Sequence, residues 1–428
     1  MANEAPRYGW YGDDFTGATD TLATLAEAGQ RALLFLRIPT SAQLASAGPL
    51  DAVGIAGATR AMAPDAMARE LDEAGRFFAA LGVSLLHYKC CSTFDSAPEI
   101  GSLGAAARAL RPYFPNPLLP VIGGQPNLGR YCLFGNLFAA AGAGGVVHRI
   151  DRHPTMSVHP VTPMGEADLR RHLQAQGLER VALVDYRSHE GDGTGQALDV
   201  ALASDSEAVL FDVARPSDLA AIGASMRERM SAGRMLAIGA SSVAQAFAGF
   251  PQTAKAEMPK LARSASGGNL LALVGSLSPV TRAQVELAEG YGLIAIEPAR
   301  LTGEPAYLDA IRTEALGRLA RGNVMLITNK PAGTPAETGK VAAATGALLR
   351  AIMSEARIAR LVVAGGDTST LAIRSLDLWG LSYRSPCTPG APLCRAHSDD
   401  PGLDGLDIVL KGGQMGTPDF FNRVAETG

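Results

Sequence analysis

The densest group of reactive side chains lies near the start of the chain, where GDDFTGATDT (residues 12–21) sets two adjacent carboxylates, Asp13 and Asp14, among hydroxyls and glycines. Two later stretches carry a comparable mixture. GATRAM (57–62) holds Arg60, and KCCSTFDS (89–96) holds Lys89, Cys90, Cys91, Ser92, Thr93 and Asp95. Carboxylates able to accept a hydroxyl proton, beside cations able to hold an anion, suit a small ligand with an acid group and several hydroxyls. Each element also has a plainer reading. Asp13 and Asp14 could serve only as helix caps, and Arg60 or Lys89 taken singly could be a surface cation. Cys90 and Cys91 read as small packing residues rather than nucleophiles.

The second half offers glycines instead. LLALVGSLSPVT (270–281) is an apolar run followed by Gly275, Ser276 and Ser278, with Pro279 placed to begin a helix. RLVVAGGDTSTLAI (360–373) repeats the design with Ala364, Gly365, Gly366 and Asp367, and Lys411–Gly416, which contains Gly413, is a third such turn. Glycines let a backbone approach a phosphate, and a helix N-terminus supplies N–H donors; the same turns also occur for structural reasons alone. No dinucleotide G-x-G-x-x-G is present. GTPAETGKV (333–341) has five residues between its glycines and Val341 where a P-loop needs Ser or Thr, so a Walker A site is excluded. A G-x-S-x-G nucleophile elbow is also missing, which weighs against an esterase.

HRIDRHPTMSVHPVTPM (148–164) has three histidines, but prolines interrupt it and its spacing fits no usual metal set; no metal site is expected. A rigid loop bringing Arg152 or His159 to a ligand, and simple packing, both remain open. GQPNLGRYCLFGN (124–136) is another glycine-interrupted stretch, in which Arg130 is a weaker candidate.

These groups need a scaffold that gathers them. Short apolar runs alternate with helical periodicity from end to end, the pattern of an α/β protein with mostly parallel sheets flanked by helices. Strands are expected at Arg7–Tyr11, Ala32–Leu36, Ala52–Ala56, Val83–Tyr88, Leu119–Ile122, Val181–Asp185, Ala208–Phe211 and Met235–Ile238. Helices are expected over Gly17–Ala28, Pro64–Leu81 and Glu99–Leu110. After a Pro-, Ser- and Gly-rich break the rhythm resumes with strands Leu270–Val274, Leu293–Glu297, Val324–Thr328, Leu361–Ala364 and Asp407–Leu410. Helices Val280–Glu289, Pro305–Ala320 and Ala336–Ala356 lie between them. Pro386–Gly402 reads as a loop or irregular edge. The expected domains are residues 1–250, a linker over 251–268, and residues 269–428. Ligands of parallel sheets bind beyond the carboxyl ends of strands, which is where GDDFTGATDT, GATRAM, KCCSTFDS and the glycine turns fall.

The totals limit the classes further. A chain of 428 residues exceeds one ordinary domain at roughly 150 residues each. With 47% hydrophobic and 19% charged residues it is a well-buried globular protein. A net charge of −4 with no basic stripe argues against nucleic-acid and anionic-membrane partners. No apolar run reaches the ~18 residues that would span a bilayer, and the N-terminus lacks the layout of a signal peptide. Five scattered cysteines give neither a disulfide framework nor a zinc set, and a reducing cytoplasm is the expected location.

Taken in order, GDDFTGATDT, LVGSLSPVT, AGGDTS and KGGQMGTPDFF resemble the four-carbon acid sugar kinase family over essentially the whole chain. KCCSTFDS and HPVTPM resemble its branch acting on 3-oxo acids. LGRYCLFGNLF (128–138) stands where 3-oxo-tetronate kinases read NGRTVYQGHLF, and GGQMG stands in place of SGNFG. With the HRIDRHPTM segment, these departures turn the reading toward the 3-oxo-isoapionate branch. The resemblance implies an N-terminal sugar-acid-binding domain, a C-terminal nucleotide-binding domain, and a site in the cleft between them using ATP and Mg²⁺. It assigns the substrate to Asp14 with Asp13, Arg60 and the Lys89–Ser92 stretch, and ATP to Ser276 (Ser278 as second choice), Ala364–Asp367 and Gly413. In the expected mechanism Asp14 or Asp13 orients or deprotonates the hydroxyl while Arg60 and Lys89 hold the carboxylate. A threonate or erythronate kinase, a non-catalytic sugar-acid-binding protein and a dehydrogenase are the rival readings. The oligomeric state stays open, with a homodimer among the options.

Overall fold

The computed structural model of the chain describes residues 6–159, 161–249, 268–276, 278–328 and 335–426. The chain divides into two compact units, Met1–Lys255 and Ala256–Gly428. The expected linker over 251–268 lies outside the described residues apart from Gly268, as do Pro160 and Leu277 of two motifs and the start of GTPAETGKV.

The first unit is built on strands Tyr8–Gly12 (β1), Ala32–Phe35 (β2), Ala52–Ala56 (β3), Leu85–Lys89 (β4), Pro120–Ile122 (β5), Arg130–Leu133 (β6), Asn136–Ala140 (β7), Val147–Arg149 (β8), Val181–Val184 (β9), Ala208–Phe211 (β10) and Met235–Gly239 (β11). Eight of them run parallel in the order β2-β3-β1-β4-β11-β5-β10-β9. Every residue of β1, β3, β4 and β11 is buried, as strands covered on both faces require. Helix Pro64–Leu81 shows how the covering layer is specified. Proline begins it, left-handed Gly82 ends it, and Met67, Leu71, Ala74 and Phe78 form its buried stripe.

The strand order places the chemistry. From β1 the chain moves to one side through β2 and β3, then crosses to the other side with β4, so the order reverses at β1. Ligands gather at such a switch point. Register completes the alignment, because Gly12 at the end of β1 lies level with Ala56 of β3 and with Lys89 of β4.

The glycine-interrupted segment 124–136 leads into a hairpin. Strands β6 and β7 pair antiparallel across Phe134 (φ 51°) and Gly135 (φ 80°), and β8 adds a third strand. Two consecutive positive φ values are what a two-residue hairpin turn needs.

The second unit contains strands Asn269–Val274 (β12), Tyr291–Ile296 (β13), Asn323–Thr328 (β14), Ile358–Ala364 (β15), Gly380–Thr388 (β16), Ala391–His397 (β17) and Asp407–Lys411 (β18). The run β13-β14-β12-β15-β18 is parallel and reverses at β12. Its core packs Leu270, Ala272, Val274, Val362 and Ala364 against Phe420, Phe421 and Val424.

The stretch 386–402, expected as a loop or irregular edge, is largely irregular strand. Most of it belongs to the antiparallel pair β16–β17, and β17 continues antiparallel onto β18. Pro386 is tolerated because the pairing register shifts between Ser385 and Thr388, so its missing N–H interrupts no regular ladder. Beside this hairpin, on β18, Asp407 is fully buried between two guanidinium groups, Arg360 Nη2 at 3.3 Å and Arg384 Nη1 in closer contact.

Candidate active site

In the first unit the three predicted stretches meet at the carboxyl edge of β1, β3 and β4. Asp14 caps helix Phe15–Glu27: its Oδ1 accepts from Gly17 N at 2.7 Å, while Oδ2 accepts from Thr16 Oγ1 at 2.6 Å. Arg60, on the turn after β3, binds both aspartates. Its Nε and Nη2 donate to Asp13 at 3.1 and 2.7 Å, and its Nη1 donates to Asp14 at 2.7 Å. Backbone bonds hold this arrangement, with Asp13 N donating to Lys89 O (2.9 Å) and Arg60 N to Asp13 O (3.2 Å). Lys89 Nζ donates to the Cys90 carbonyl at 2.7 Å and acts on the charge of Asp14. A Cβ at Gly17 would sit 2.7 Å from Lys89 Nζ and 2.8 Å from Asp14 Oδ1, so glycine there lets ammonium and carboxylate approach.

Both aspartates are about 2% exposed, yet their proton affinities shift in opposite directions. Burial, reinforced by the neighbouring Asp14 charge, pushes the Asp13 carboxyl up despite Arg60. Burial also acts upward on Asp14, but Arg60, Lys89 and the bonds from Thr16 and Gly17 outweigh it and hold Asp14 below the usual carboxylate range. Adjacent carboxyls driven apart in this way form an acid–base pair with one member firmly ionised.

The expectation that Arg60 holds a substrate carboxylate meets a different geometry, since its guanidinium is already committed to Asp13 and Asp14. Ser92 is buried in the turn after β4. Burial drives the Cys90 thiol up and raises Cys91 to about 11, so both stay protonated at neutral pH and pack rather than attack. Arg152 has a side chain 76% exposed, and its polar contacts among the described residues go to its neighbour Asp151, with Nη1 3.3 Å from the carbonyl and 3.8 Å from Oδ2. His159 Nδ1 accepts from Thr162 N and lies 3.1 Å from Thr162 Oγ1, closing its own loop. No group of three or more His, Cys, Asp or Glu able to hold a metal forms among the described residues.

Residues not marked out in advance complete this edge. Asp20 Oδ2 accepts from Gln125 Nε2 (3.1 Å) and Ser241 Oγ (2.5 Å), joining the first motif to the turns after β5 and β11. Asp20 lies within GDDFTGATDT, but its partners are more than a hundred residues away, so only the register reveals them.

In the second unit the glycine turns converge at the reversal point. Gly275 N and Ser276 N both donate to Ala364 O (2.9 and 3.1 Å), and Gly365 N donates to Lys411 O at 2.8 Å. Helix Gly366–Arg374 starts directly after Gly365, and Asp367 is in its first turn. Ser278 caps helix Pro279–Glu286 by accepting from Val280 N, and its own N–H donates to Ser276 Oγ, each at 3.2 Å. Thr281 Oγ1 donates to Gly413 O at 2.9 Å. Two helix N-termini and the glycine turns leading to them thus share one edge, an arrangement suited to phosphates.

Lys411, which opens the third turn, carries a feature that its place in the motif does not reveal. Lys411 is fully buried, and its Nζ donates to Thr281 Oγ1 (3.0 Å), Gly412 O and Met415 O (both 3.1 Å). Its position one residue before GGQMG is the only sequence signal. Desolvation by burial lowers its pKa to about 7. The unfolded chain, with an ordinary lysine near 10.4, therefore binds more protons between pH 7 and about 10, and stability gains from rising pH across that window. Lys411→Met is expected to remove this contribution, flattening the curve by up to about 1.4 kcal/mol per pH unit. Urea midpoints of both proteins at pH 7, 8 and 9 measure it; parallel curves would reject the assignment.

Among the described residues no helix is long and apolar enough to cross a membrane. A family model described as a sugar-binding N-terminal domain matches residues 8–247, and one described as a nucleotide-binding C-terminal domain matches 271–421. The 3-oxo-isoapionate kinase of Paraburkholderia graminis is 38% identical over 447 aligned residues, covering 97% of this chain and 93% of the relative. The 3-oxo-tetronate kinase of Methylobacterium radiotolerans is 30% identical over 437, covering 98% of both. Two solved structures share the fold. One, from Salmonella typhimurium LT2, has TM-score 0.76 at 24% identity and covers 98% of this chain and 99% of that one. The other, a Haemophilus influenzae protein, has TM-score 0.68 at 22% identity, covering 97% and 98%.

Proposed function

We propose that this chain, which belongs to the four-carbon acid sugar kinase family, phosphorylates a hydroxyl of a 3-oxo sugar acid of the 3-oxo-isoapionate type at its aspartate pair. That it is an ATP-dependent sugar-acid kinase follows from the family; the substrate and the residue roles are the proposal. The observation that carries it is the cluster of buried Asp13, Asp14 and Lys89 with half-buried Arg60 at the reversal point of a parallel sheet. Phosphoryl transfer asks a protein chiefly for position and charge, with a carboxylate orienting the attacking hydroxyl or accepting its proton. Asp14, held ionised by its cations, takes the orienting role. Asp13, with the higher proton affinity, is the second acceptor.

The glycine turns of the second unit hold the nucleotide, with Ser276, Ala364–Asp367 and Gly413 nearest its phosphates. Mg²⁺ is proposed as the phosphates' own counter-ion, because the described residues offer no cage of carboxylates and imidazoles for it. A Cβ at Gly413 would stand 2.5 Å from Ser276 Oγ. Gly413→Ala is thus expected to raise the KM for ATP about tenfold, the effect of roughly 1–3 kcal/mol of overpacking, with the acid's KM unchanged. Steady-state kinetics with each substrate varied in turn will show it.

The founding test is ATP consumption by the purified protein with Mg²⁺ against D- and L-threonate, D-erythronate, the 3-oxo-tetronates and 3-oxo-isoapionate. Turnover strongest with 3-oxo-isoapionate supports the proposal, and preference for another acid replaces its substrate. ATP binding without turnover on any of them removes the whole panel as substrates.

A further inference from the structure

Arg60, the cation nearest the aspartates, is already neutralised by them. A carboxylate entering this edge needs another guanidinium. Arg130 at the start of β6 is 4% exposed and forms no ion pair among the described residues. Its Nη1 donates to the Leu128 carbonyl, while Nε is buried with no hydrogen-bond partner and Nη2 has none among the described residues. Nε and Nη2 form one side of the guanidinium fork. Elsewhere in the same unit that side grips a carboxylate five times: Arg31 on Asp51 (2.9 and 2.6 Å), Arg60 on Asp13 (3.1 and 2.7 Å), Arg149 on Asp151 (2.7 and 2.6 Å), Arg170 on Asp168 (2.9 and 2.7 Å) and Arg187 on Asp185 (3.1 and 2.8 Å). In Arg130 the corresponding side is unmatched among the described residues, and its Nε is buried. A buried guanidinium left this way is costly unless a ligand completes it.

Position agrees with chemistry. Backbone bonds between Gln125 and Arg130 (2.8 and 3.2 Å) fix Arg130 to the turn after β5. Gln125 in turn is bonded to Asp20 of the first motif. The charged and titratable groups acting on Arg130 are Cys91, Asp95 and Tyr131, and Arg130 in turn acts on His153. Cys91 also feels Arg60 and Lys89, so it links Arg130 to the aspartate cluster. Asp95 is occupied by Thr93 Oγ1 at 2.6 Å.

We infer that the Nε–Nη2 side of Arg130 binds the carboxylate of the sugar acid, which makes Arg60 a positioning residue for Asp13 and Asp14. This inference rests on the sugar-acid kinase reading and assigns the acid-recognising group within it. A planar fork matched to a planar carboxylate selects acids over neutral polyols and amides.

Wild type, Arg130→Lys and Arg130→Met are compared by calorimetric titration with 3-oxo-isoapionate and L-threonate, and by kinetics on the preferred acid and its carboxamide. The expected result is an acid affinity about 100-fold weaker in Arg130→Met, the consequence of truncating one side of a buried charge pair, and an intermediate loss in Arg130→Lys. ATP affinity stays within twofold. Wild type prefers acid over carboxamide, and Arg130→Met loses that preference, which a merely structural residue would not produce. Retained preference in the variant, or acid affinity within twofold of wild type, overturns the inference. Acid binding that depends on Arg130 without any phosphorylation supports it while the kinase reading fails. A wild type that binds neither acid overturns both.

Discussion

Asp14→Asn is expected to lower turnover by about 10²–10⁴-fold while ATP affinity stays within about twofold. The asparagine is nearly isosteric and can still accept from Gly17 N through its oxygen, so the helix start survives. What disappears is negative charge at the point where Arg60 Nη1 and Thr16 Oγ1 converge on Oδ2. An amide there presents N–H groups toward donors, and the attacking hydroxyl loses its orienting acceptor. Rapid-quench turnover measures the loss, nucleotide titration checks the second unit, and a thermal melt checks folding. Unchanged turnover would end the assignment. A larger loss in Asp13→Asn would move the proton-accepting role to Asp13, whose burial already favours the protonated form.

Asp407→Ala should cost about 3–5 kcal/mol of stability, read as a shift of the urea midpoint at unchanged slope. Asp407 is fully buried at the start of β18, with Arg360 of β15 and Arg384 of β16 both turned onto it. Removing the carboxylate takes away the anion that both guanidinium groups share, and Arg360 is itself 2% exposed. The fold has limited means of relief, since Arg360 Nη1 is held by the Val424 carbonyl at 2.7 Å. Asp407→Asn, which keeps shape but not charge, should recover part of the loss. Equal midpoints for wild type and Asp407→Ala would show that the network contributes nothing net.

The parallel framework was readable because its strands are short apolar runs ending in polar turns. Helix Pro64–Leu81 was found with its bounds intact, since proline and glycine mark both ends. Other ends drifted. The helix expected over Glu99–Leu110 begins only at Leu103, where the Ser102 cap accepts from Ala105 N and outweighs the earlier acidic residue. The β16–β17 hairpin escaped notice because Pro386 and Pro392 read as loop residues, whereas a register shift and a turn at Gly390 accommodate that stretch.

The meeting of Asp13, Asp14, Arg60 and Lys89 followed from one rule about strand ends. The pairing among them did not. Whether Arg60 faces a ligand or two aspartates depends on Gly12 lying level with Ala56 and Lys89, and register is invisible in one sequence. The same holds for Lys411, whose hydroxyl partner Thr281 is 130 positions away. For Arg130 the legible signal was a lone cation between glycines; the unmatched side of its guanidinium needs coordinates.

Asp14 is at once the cap of helix Phe15–Glu27 and a member of the candidate site. Many enzymes become sturdier when a reactive group is replaced, because activity was maintained at the expense of stability. That exchange is closed at this position for substitutions that cannot cap: they forfeit about 1 kcal/mol of helix stability along with the rate. A lineage released from selection for activity would thus gain no robustness by discarding Asp14, and the carboxylate would outlast the function it serves.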